Sequence, residues 1–338
     1  MSALRRVDRS APGYARRRHG RGFVYLDERG RQIRDERLDR IRSLAIPPAW
    51  ADVWICPDVR GHLQATGVDG AGRLQYLYHP DWRTQRDRAK FERIEGFAEA
   101  LPRTRERVAR DIRRRGFPRE RVLACAIRLL DRGLFRVGTE DYVSNGAFGL
   151  ATLRREHVVV RRNAVEFDYV GKAGKRHVLE IADPEVVRVI RALRRRRAAP
   201  TDELLVWEDG ATWRSVRAAD INGYLKEASG TDFSAKDFRT WHATVLAATA
   251  LAEHGPERSQ RGSKRAIRAA AEAVSEHLGN TPAVARRSYI DPRVVARYLE
   301  GEVIDLSRLP DEGEHEALEA AVLRLLRSRP SQAWPEAA

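Results

Sequence analysis

Cysteines, metal-binding motifs and nucleotide-binding motifs are scarce or absent in this sequence of 338 residues. Its two cysteines, Cys56 and Cys125, have no CxxC spacing, which excludes a zinc ribbon and gives no disulfide framework. It also lacks a GxxxxGK(S/T) loop, an HExxH motif and a carboxylate cluster spaced for magnesium. The sequence therefore predicts a protein that works without ATP, a metal ion or another cofactor.

Long apolar runs are missing as well. The longest, residues 245–252, is too short to cross a bilayer. The arginine-rich start is not followed by the apolar segment of a secretory signal. We therefore expect a cytoplasmic protein with no membrane contact.

Acidic residues are outnumbered by basic ones. The chain has 63 Lys and Arg against 48 Asp and Glu, a net charge of +15. Such a charge attracts polyanions, and arginine, which dominates the excess, binds phosphate oxygens with a planar fork. Nucleic acid is the predicted partner, although a GC-rich genome would also raise the arginine content. With 42% hydrophobic residues, the chain can bury a core in each of two domains.

The first part of the chain has the pattern of a small β-rich domain. Strands are predicted at residues 23–27, 53–57, 62–67 and 73–79, the last two joined by a turn at 69–72. We assign residues 1–20 to a basic tail and 21–82 to this N-terminal domain. Residues 79–93 lose the alternation and gain charge, which indicates a connecting segment leading into a helix.

The remainder is mainly helical. Apolar residues recur at helical spacing through residues 119–135, which predicts a buried helix. Further helices are predicted at 184–197, 215–228, 236–253, 265–278 and 293–299. Residues 157–162, 164–170 and 175–181 alternate as strands and predict a three-stranded β-meander. The predicted fold class is α+β, with a larger, mainly helical domain at 83–310.

Two segments outside these elements have their own predictions. Residues 258–264 have the composition of a mobile basic loop. Residues 311–338 are acidic and then amphipathic, and we assign them to a peripheral C-terminal tail.

One tyrosine follows a short basic helix in the segment LGNTPAVARRSYIDP, residues 278–292. Gly279 ends one helix, and Thr281 as N-cap with Pro282 in the first turn begins another. Asn280 therefore lies in the joint, where its side chain can converge with that of Tyr289. On its own, this pattern also fits a half-buried core tyrosine beside a solvated basic face.

Four motifs together resemble the type IB DNA topoisomerases, especially the poxvirus-like branch found in bacteria, and more distantly the tyrosine recombinases. The motifs are LGNTPAVARRSYIDP with Tyr289, RVGTEDY with Arg136 followed by GLATL at 149–153, YVGKAG with Lys172, and KDFRTWHAT with Arg239. They occur in the family's order over roughly residues 70 to 300. Individually, Arg136 also fits a helix C-terminus, Lys172 a solvated turn, and Arg239 a surface arginine or a buried ion pair.

The resemblance implies a metal-free transfer of a DNA phosphodiester to Tyr289, giving a 3′-phosphotyrosyl link and a free 5′-hydroxyl. Arg136, Arg239 and Asn280 would donate to the phosphate oxygens, on which charge develops in the transition state. Lys172 would protonate the departing 5′-oxygen, as the family's lysine does. The broken strand could then rotate and religate without ATP.

The resemblance also implies how double-stranded DNA is bound. GRLQYLYH places Gln75, Tyr76 and Tyr78 like a groove-contacting segment of the poxvirus-like members. Alternation puts both tyrosines on one face, which fits groove contact or simply the wet face of a small sheet. Tyr142 matches another DNA-contacting tyrosine. Both domains would close around one duplex as a monomeric clamp, with a hinge at residues 81–90.

Two departures from the poxvirus pattern affect chemistry and specificity. Asn280 stands where those members have histidine, so this side chain can donate a hydrogen bond but cannot carry a proton of tuned pKa. Thr139 stands where the poxvirus pattern has a DNA-contacting lysine, so we expect an altered or weaker sequence preference. Arg239 and His242 form the RxxH pattern of tyrosine recombinases, and His242 either contacts the same phosphate or only packs locally.

Three functions therefore remain open. The first is a type IB topoisomerase that relaxes supercoiled DNA, acting on the nucleoid. The second is a site-specific tyrosine recombinase, against which the β-rich N-terminal domain counts. The third is a non-catalytic DNA-binding protein on the same scaffold.

Overall fold

The computed structural model describes residues 3–144, 146–196, 201–308 and 314–328, apart from the side chains of Tyr142 and Glu314. The chain forms two compact units, Met1–Lys90 and Phe91–Ala338. The boundary predicted after residue 82 lies inside a helix that begins at Pro80.

The first unit is built on an antiparallel sheet of five strands in the order β2-β1-β3-β4-β5. Its elements are β1 (Tyr14–His19), β2 (Gly22–Leu26), α1 (Arg37–Ser43), β3 (Ala51–Ile55), β4 (Leu63–Val68) and β5 (Leu74–Tyr78). Tyr14, Ile41, Val53 and Ile55 pack together beneath the sheet in a small apolar core.

Strand β1 lies in the segment that the sequence assigns to a basic tail, so that prediction is wrong for residues 14–19. The strand pairs with both β2 and β3. The Arg16 guanidinium donates to the carbonyl oxygens of Ile46 and Trp50 and lies 4.2 Å from the centre of the Phe23 ring. The arginines of β1 obscure the alternation of apolar and polar residues that predicts a strand. An arginine can nevertheless lie in a strand, because its aliphatic part packs on apolar surface while its guanidinium donates to backbone oxygens.

Helix α2 (Pro80–Asp111) replaces the connecting segment predicted at residues 79–93. Pro80 occupies the first helical position, where its missing N–H costs nothing, and Asp81 complements the dipole in the first turn. The high charge of this stretch belongs to the solvated face of a helix. The predicted hinge at residues 81–90 is helical too.

The second unit is mainly helical. Its helices are α3 (Arg119–Gly133), α4 (Glu140–Val143), α5 (Pro184–Arg195), α6 (Ala218–Ser229), α7 (Ala235–His254), α8 (Gln260–Leu278), α9 (Pro282–Ser288), α10 (Pro292–Leu299) and α11 (Glu314–Arg327). Its strands are β6 (Val158–Val160), β7 (Val165–Val170), β8 (Arg176–Ile181), β9 (Val206–Asp209) and β10 (Thr212–Ser215). The predicted α+β class is confirmed, with β6, β7 and β8 forming the antiparallel meander.

The predicted buried helix is α3, in which Leu123, Leu129 and Leu130 are fully buried. It contacts α5, α6 and α7 and so forms the centre of the apolar core. Its wide apolar face is typical of a helix surrounded by others.

Two local predictions for this unit need correction. Residues 260–264 belong to helix α8 and are not a loop, because the Ser259 hydroxyl caps the helix by accepting from the Gly262 N–H at 3.0 Å. Strands β9 and β10 form an antiparallel hairpin that was not predicted. Each has only four residues, too few for a visible alternation.

Helix α11 packs into the core, although the sequence suggests a peripheral tail. Val322 on this helix is fully buried. Glu319 accepts from Arg105 at 2.6 and 2.9 Å and from the Trp241 indole at 3.0 Å. Arg105 also pairs with Asp131 at 2.8 Å. These partners lie far apart in sequence, so the amphipathic pattern alone did not reveal what the helix packs against.

Over the described ranges of the chain, no helix is both long and apolar enough to span a membrane.

We predict that Glu319→Ala lowers the free energy of unfolding by about 3 kcal/mol at neutral pH, because it leaves part of a buried ion network unpaired. Burial alone would raise the pKa of Glu319, but hydrogen bonds from His315 and Arg105 outweigh it and lower the pKa from 4.5 to about 2. The stabilisation is therefore complete above pH 4.5 and is lost as the pH falls towards 2. Urea unfolding at a series of pH values measures it.

The exposed Glu316 on the same helix provides the control. Glu316→Ala should change the free energy of unfolding by less than about 0.5 kcal/mol. A difference between wild type and Glu319→Ala that stays constant from pH 7 to pH 2 would contradict the ion-network explanation.

Candidate active site

Arg136 lies in a loop that two glycines hold against the following motif. Helix α3 ends at Gly133, and Leu134 turns the chain with a left-handed φ of 53°. The Arg136 carbonyl accepts from the Leu150 N–H at 2.8 Å. A Cβ on Gly149 would lie 2.5 Å from Gly138 Cα, so both positions need glycine for their backbones to touch. The RVG and GLATL motifs are therefore parts of one local structure.

Arg239 is a buried arginine in α7 that joins two helix ends. It is 4% exposed and donates to the carbonyl oxygens of Leu134 and Leu278, the latter at 2.7 Å. These carbonyls lie at the C-termini of α3 and α8, where the helix dipoles favour a cation. Burial lowers the pKa of Arg239 to about 10, with Arg136 lowering it and Tyr289 raising it. The guanidinium stays charged at neutral pH.

Tyr289 follows helix α9, as the sequence predicts. Thr281 caps this helix by accepting from Val284 N–H, and Pro282 occupies its first turn. The Tyr289 carbonyl accepts from the Thr244 hydroxyl of α7 at 3.3 Å. The Tyr289 ring is half-buried, with its centre 5.5 Å from the Arg239 Cζ. Helix α7 therefore contacts both the backbone and the ring of this tyrosine.

Lys172 is at the tip of the hairpin between β7 and β8. Gly171 N–H donates to the Lys175 carbonyl at 2.8 Å and closes the turn. Ala173 and Gly174 have positive φ angles of 63° and 72°, which make the sharp reversal. Lys172 is exposed at this tip.

Asn280 lies in the joint between α8 and α9. Gly279 ends α8 with a left-handed φ of 63°, and the Asn280 N–H donates to the Ser275 carbonyl at 3.1 Å. The side-chain Oδ1 and Nδ2 of Asn280 are both buried and have no hydrogen-bond partner in the part of the chain that the structure describes. A buried amide without partners is costly, which makes this residue unusual in a folded core.

Four of the five predicted catalytic residues line one pocket of about 420 Å³, and Asn280 is not among its lining residues. The four are Arg136, Lys172, Arg239 and Tyr289. Sequence reasoning missed several further polar residues of the lining, namely Asn222, Ser234 and Lys236, whereas Thr139 was noted only as a departure from the pattern. Lys236 precedes Arg239 by one helical turn, so the two residues lie on the same face of the helix. That spacing could have predicted Lys236 as a residue of the pocket.

His242 does not reach this pocket. It is 4% exposed, and its Nε2 lies 3.1 Å from the Asp131 carboxylate. Burial alone would raise the pKa of Asp131, but His242 and Arg105 hold it well below its usual range. The local-packing alternative therefore fits His242, and direct contact with a ligand in the pocket does not.

Of the DNA-contacting residues predicted in the first unit, Tyr76 and Tyr78 share one face of β5, whereas Gln75 lies on the opposite face. Tyr76 is 46% exposed and stacks on Tyr78, with ring centres 6.0 Å apart. Leu77 points the other way and packs on the core. Gln75 donates to the Asp69 carboxylate at 2.8 Å. The side chain of Tyr142 lies outside the described residues.

Among the residues that the structure describes, one group of side chains has metal-ligand chemistry. Ligand atoms of Asp131, His242 and His315 lie within 4.8 Å of one another. Arg105 donates to both oxygens of Asp131, at 2.8 and 2.9 Å, which places a fixed cation where a metal would bind. This donor set fits a buried ion network better than a metal site.

Comparison with known families accounts for both units. Residues 79–300, which contain all five predicted catalytic residues, match the family described as "Eukaryotic DNA topoisomerase I, catalytic core". Residues 22–69 match "Bacterial DNA topoisomerase IB, N-terminal domain". The chain belongs to the type IB DNA topoisomerase family. The resemblance noted in the sequence is thereby confirmed, and the chain is a DNA topoisomerase of this type.

The likeness to a known relative covers most of the chain. DNA topoisomerase 1B of Acanthamoeba polyphaga mimivirus is 27% identical over 285 residues, which cover 82% of this chain and 85% of the relative. The likeness therefore extends well beyond the four motifs.

We predict that Gly149→Ala impairs this topoisomerase by displacing the Arg136 loop. The new methyl group would overlap the Gly138 backbone, which cannot move aside as a flexible side chain could. Overpacking of this kind costs about 1 to 3 kcal/mol of folding stability. Plasmid relaxation should fall by about 10-fold or more under conditions where the variant stays folded.

Gly223→Ala in helix α6 is the matched control, since the nearest atom to its Cβ is 3.9 Å away. It should leave both stability and relaxation close to wild type. Full activity of folded Gly149→Ala would show that the glycine contact does not position Arg136.

Proposed function

We propose that this topoisomerase relaxes supercoiled DNA through a transient covalent link between Tyr289 and a 3′-phosphate. The observation that carries the proposal is the single pocket lined by Tyr289, Arg136, Arg239 and Lys172. A phenol, two guanidinium groups and an ammonium are the groups that a phosphoryl transfer to tyrosine requires in the absence of a metal.

The arginines and Asn280 stabilise the charge that develops on the phosphate. Arg239 has a buried Nε with no hydrogen-bond partner in the described chain, and both amide atoms of Asn280 are in the same condition. Non-bridging phosphate oxygens would satisfy the donors among these groups. Removal of one such donor lowers the rate by about 100-fold to 1000-fold in comparable sites. The unpartnered Nε of Arg239, a residue that lines the pocket, therefore supports a bound phosphodiester as the missing partner.

Lys172 acts as the general acid of cleavage. The Tyr289 oxygen forms a bond to phosphorus, the bond from phosphorus to the 5′-oxygen breaks, and the Lys172 ammonium gives its proton to that oxygen. The phenol proton leaves to solvent as the phenolate forms among the cations. Religation reverses each step, with the 5′-hydroxyl as nucleophile and the phenolate as leaving group.

Conservation of the phosphodiester bond energy in the covalent link makes ATP unnecessary. The cations that line the pocket are side chains of the protein, which supports a reaction that also needs no metal ion. All of them come from one chain, so the proposed acting form is a monomer. Its DNA substrate supports the further proposal that the protein acts on the nucleoid in the cytoplasm.

We predict that Tyr289→Phe abolishes relaxation of supercoiled plasmid in EDTA without ATP, whereas the wild type relaxes it. Denaturing the wild-type reaction with detergent should trap a protein–DNA adduct, and peptide mapping should locate it at Tyr289. The trapped strand should carry a free 5′-hydroxyl that a polynucleotide kinase can label. Tyr289→Phe should retain DNA binding, because only the nucleophilic oxygen is lost.

Tyr298→Phe is the control, since Tyr298 is a buried tyrosine of α10 whose hydroxyl donates to the Gly255 carbonyl at 2.9 Å. It should still form the adduct. Unchanged relaxation by Tyr289→Phe would refute the site assignment. Strand exchange between paired target sites without general relaxation would favour a recombinase, and salt-sensitive binding without any adduct would favour a non-catalytic protein.

We further predict that Tyr76→Ala weakens duplex binding by about 10-fold, because we propose that its exposed ring contacts the groove. The slope of log affinity against log salt should not change, since tyrosine neutralises no phosphate. Val59→Ala is the control, an exposed apolar residue of the same unit. Fluorescence anisotropy with labelled duplex measures both quantities, and equal affinities for wild type and Tyr76→Ala would rule out the contact.

A further inference from the structure

His177 stands opposite Tyr169 where β8 pairs with β7. Its imidazole stacks on the Tyr169 ring, with centres 5.2 Å apart and planes 19° apart. Tyr169 in turn stacks on Phe135 of the core, at 6.0 Å and 12°. The half-buried histidine ring is therefore held in a fixed orientation by a column of aromatic rings.

The edges of this ring contact two glycines, each of which precedes a proposed catalytic residue. A Cβ on Gly171, before Lys172, would lie 2.7 Å from the His177 Cδ2 and 2.8 Å from its Nε2. A Cβ on Gly279, before Asn280, would overlap the His177 Cε1 and lie 3.3 Å from its Nδ1. Both backbones therefore lie against the ring, and side chains at these positions would prevent it.

Both glycines lie in segments that the surrounding chain anchors. The Gly279 side is anchored, because Arg239 binds the Leu278 carbonyl at 2.7 Å and Asn280 N–H binds the Ser275 carbonyl at 3.1 Å. On the hairpin side, the Val170 carbonyl accepts from the Phe148 N–H at 2.8 Å, and the Gly171 N–H closes the turn by donating to the Lys175 carbonyl at 2.8 Å. The ring lies between these two anchored segments and keeps the Lys172 hairpin and the Asn280 joint at a fixed separation.

The electrostatic surroundings suit a neutral ring. Burial lowers the pKa of His177, and the charges of Arg136, Arg239 and Lys175 lower it further. Neither ring nitrogen has a hydrogen-bond partner within the described part of the chain. A neutral ring can pack among these cations without adding charge repulsion. It can therefore separate the two backbone segments at a fixed distance.

We propose that His177 is a positioning residue that holds the Lys172 hairpin at a fixed distance from the Asn280 joint. This inference rests on the proposed role of Lys172 as general acid. Displacement of a catalytic group by about 1 Å costs about 100-fold in rate. Loss of the ring would therefore slow the step in which Lys172 gives its proton and would leave the arginines in place.

The test compares two leaving groups on one duplex with a mapped cleavage site. The first duplex has the natural 5′-oxygen at the scissile phosphate, and the second has a 5′-sulfur. A thiolate departs without protonation, so cleavage of the sulfur duplex does not depend on Lys172. His177→Ala should slow single-turnover cleavage of the oxygen duplex by about 10-fold to 100-fold. Cleavage of the sulfur duplex should change less than about 3-fold.

His177→Phe separates the shape of the ring from its nitrogens. A phenyl group can stack on Tyr169 and fill the space between the glycines, so this variant should recover most of the oxygen-duplex rate that His177→Ala loses. Val178→Ala on the same strand is the matched control, because Val178 is 70% exposed and points away. It should cleave both duplexes at the wild-type rate.

Each contrary result overturns the inference. Equal slowing of both duplexes by His177→Ala would show that the ring does not act through Lys172. Failure of folded His177→Phe to recover activity would show that the nitrogens, not the ring, are needed. Lys172→Ala tests the proposed acid role of Lys172 separately. If this variant does not recover its cleavage rate on the sulfur duplex, the proposed acid role fails. If the sulfur duplex restores the cleavage rate of Lys172→Ala but not that of His177→Ala, only the inference about His177 fails.

Discussion

The arrangement of the pocket depends on one buried guanidinium. Arg239 bridges the last carbonyls of two helices, and burial of its charge is tolerable because both carbonyls lie at negative helix ends. Two residues after Leu134 comes Arg136, and two residues after Leu278 comes Asn280. The Tyr289 ring lies beside the same guanidinium. One side chain therefore sets the positions of residues that are distant from it in sequence.

The parts that sequence predicts well are those determined by short-range signals. Gly279, Thr281 and Pro282 specify a helix end and a helix start within four residues, and the structure has both as predicted. The buried helix α3 and the β-meander likewise follow from periodicity within one element. The convergence of Arg136, Lys172, Arg239 and Tyr289 on one pocket came from the family resemblance, since no local pattern brings these four segments together.

The parts that sequence missed depend on partners far along the chain. The arginines of β1 conceal a strand whose pairing partners lie in β2 and β3. The sequence of helix α11 is amphipathic, but its packing depends on the ion pair between Glu319 and Arg105, which lies 214 residues earlier. His242 has the spacing of a recombinase residue, yet Asp131 of α3 holds it away from the pocket. In each case the partner that decides the structure lies outside any local window of the sequence.

The contacts between α3 and α7 explain how the fold holds the unpaired donors of Arg239 and Asn280 in place. Buried polar atoms such as the Asn280 amide cost about 1 to 3 kcal/mol each while they have no partner. Helices α3 and α7 meet through Arg239 and Leu134, and one turn further along α7 they meet again through His242 and Asp131. The second contact is partnered with or without DNA, and α11 reinforces it through Glu319. The helices thus stay in register through contacts between their own side chains, which keeps the buried donors of Arg239 and Asn280 in position without a bound ligand.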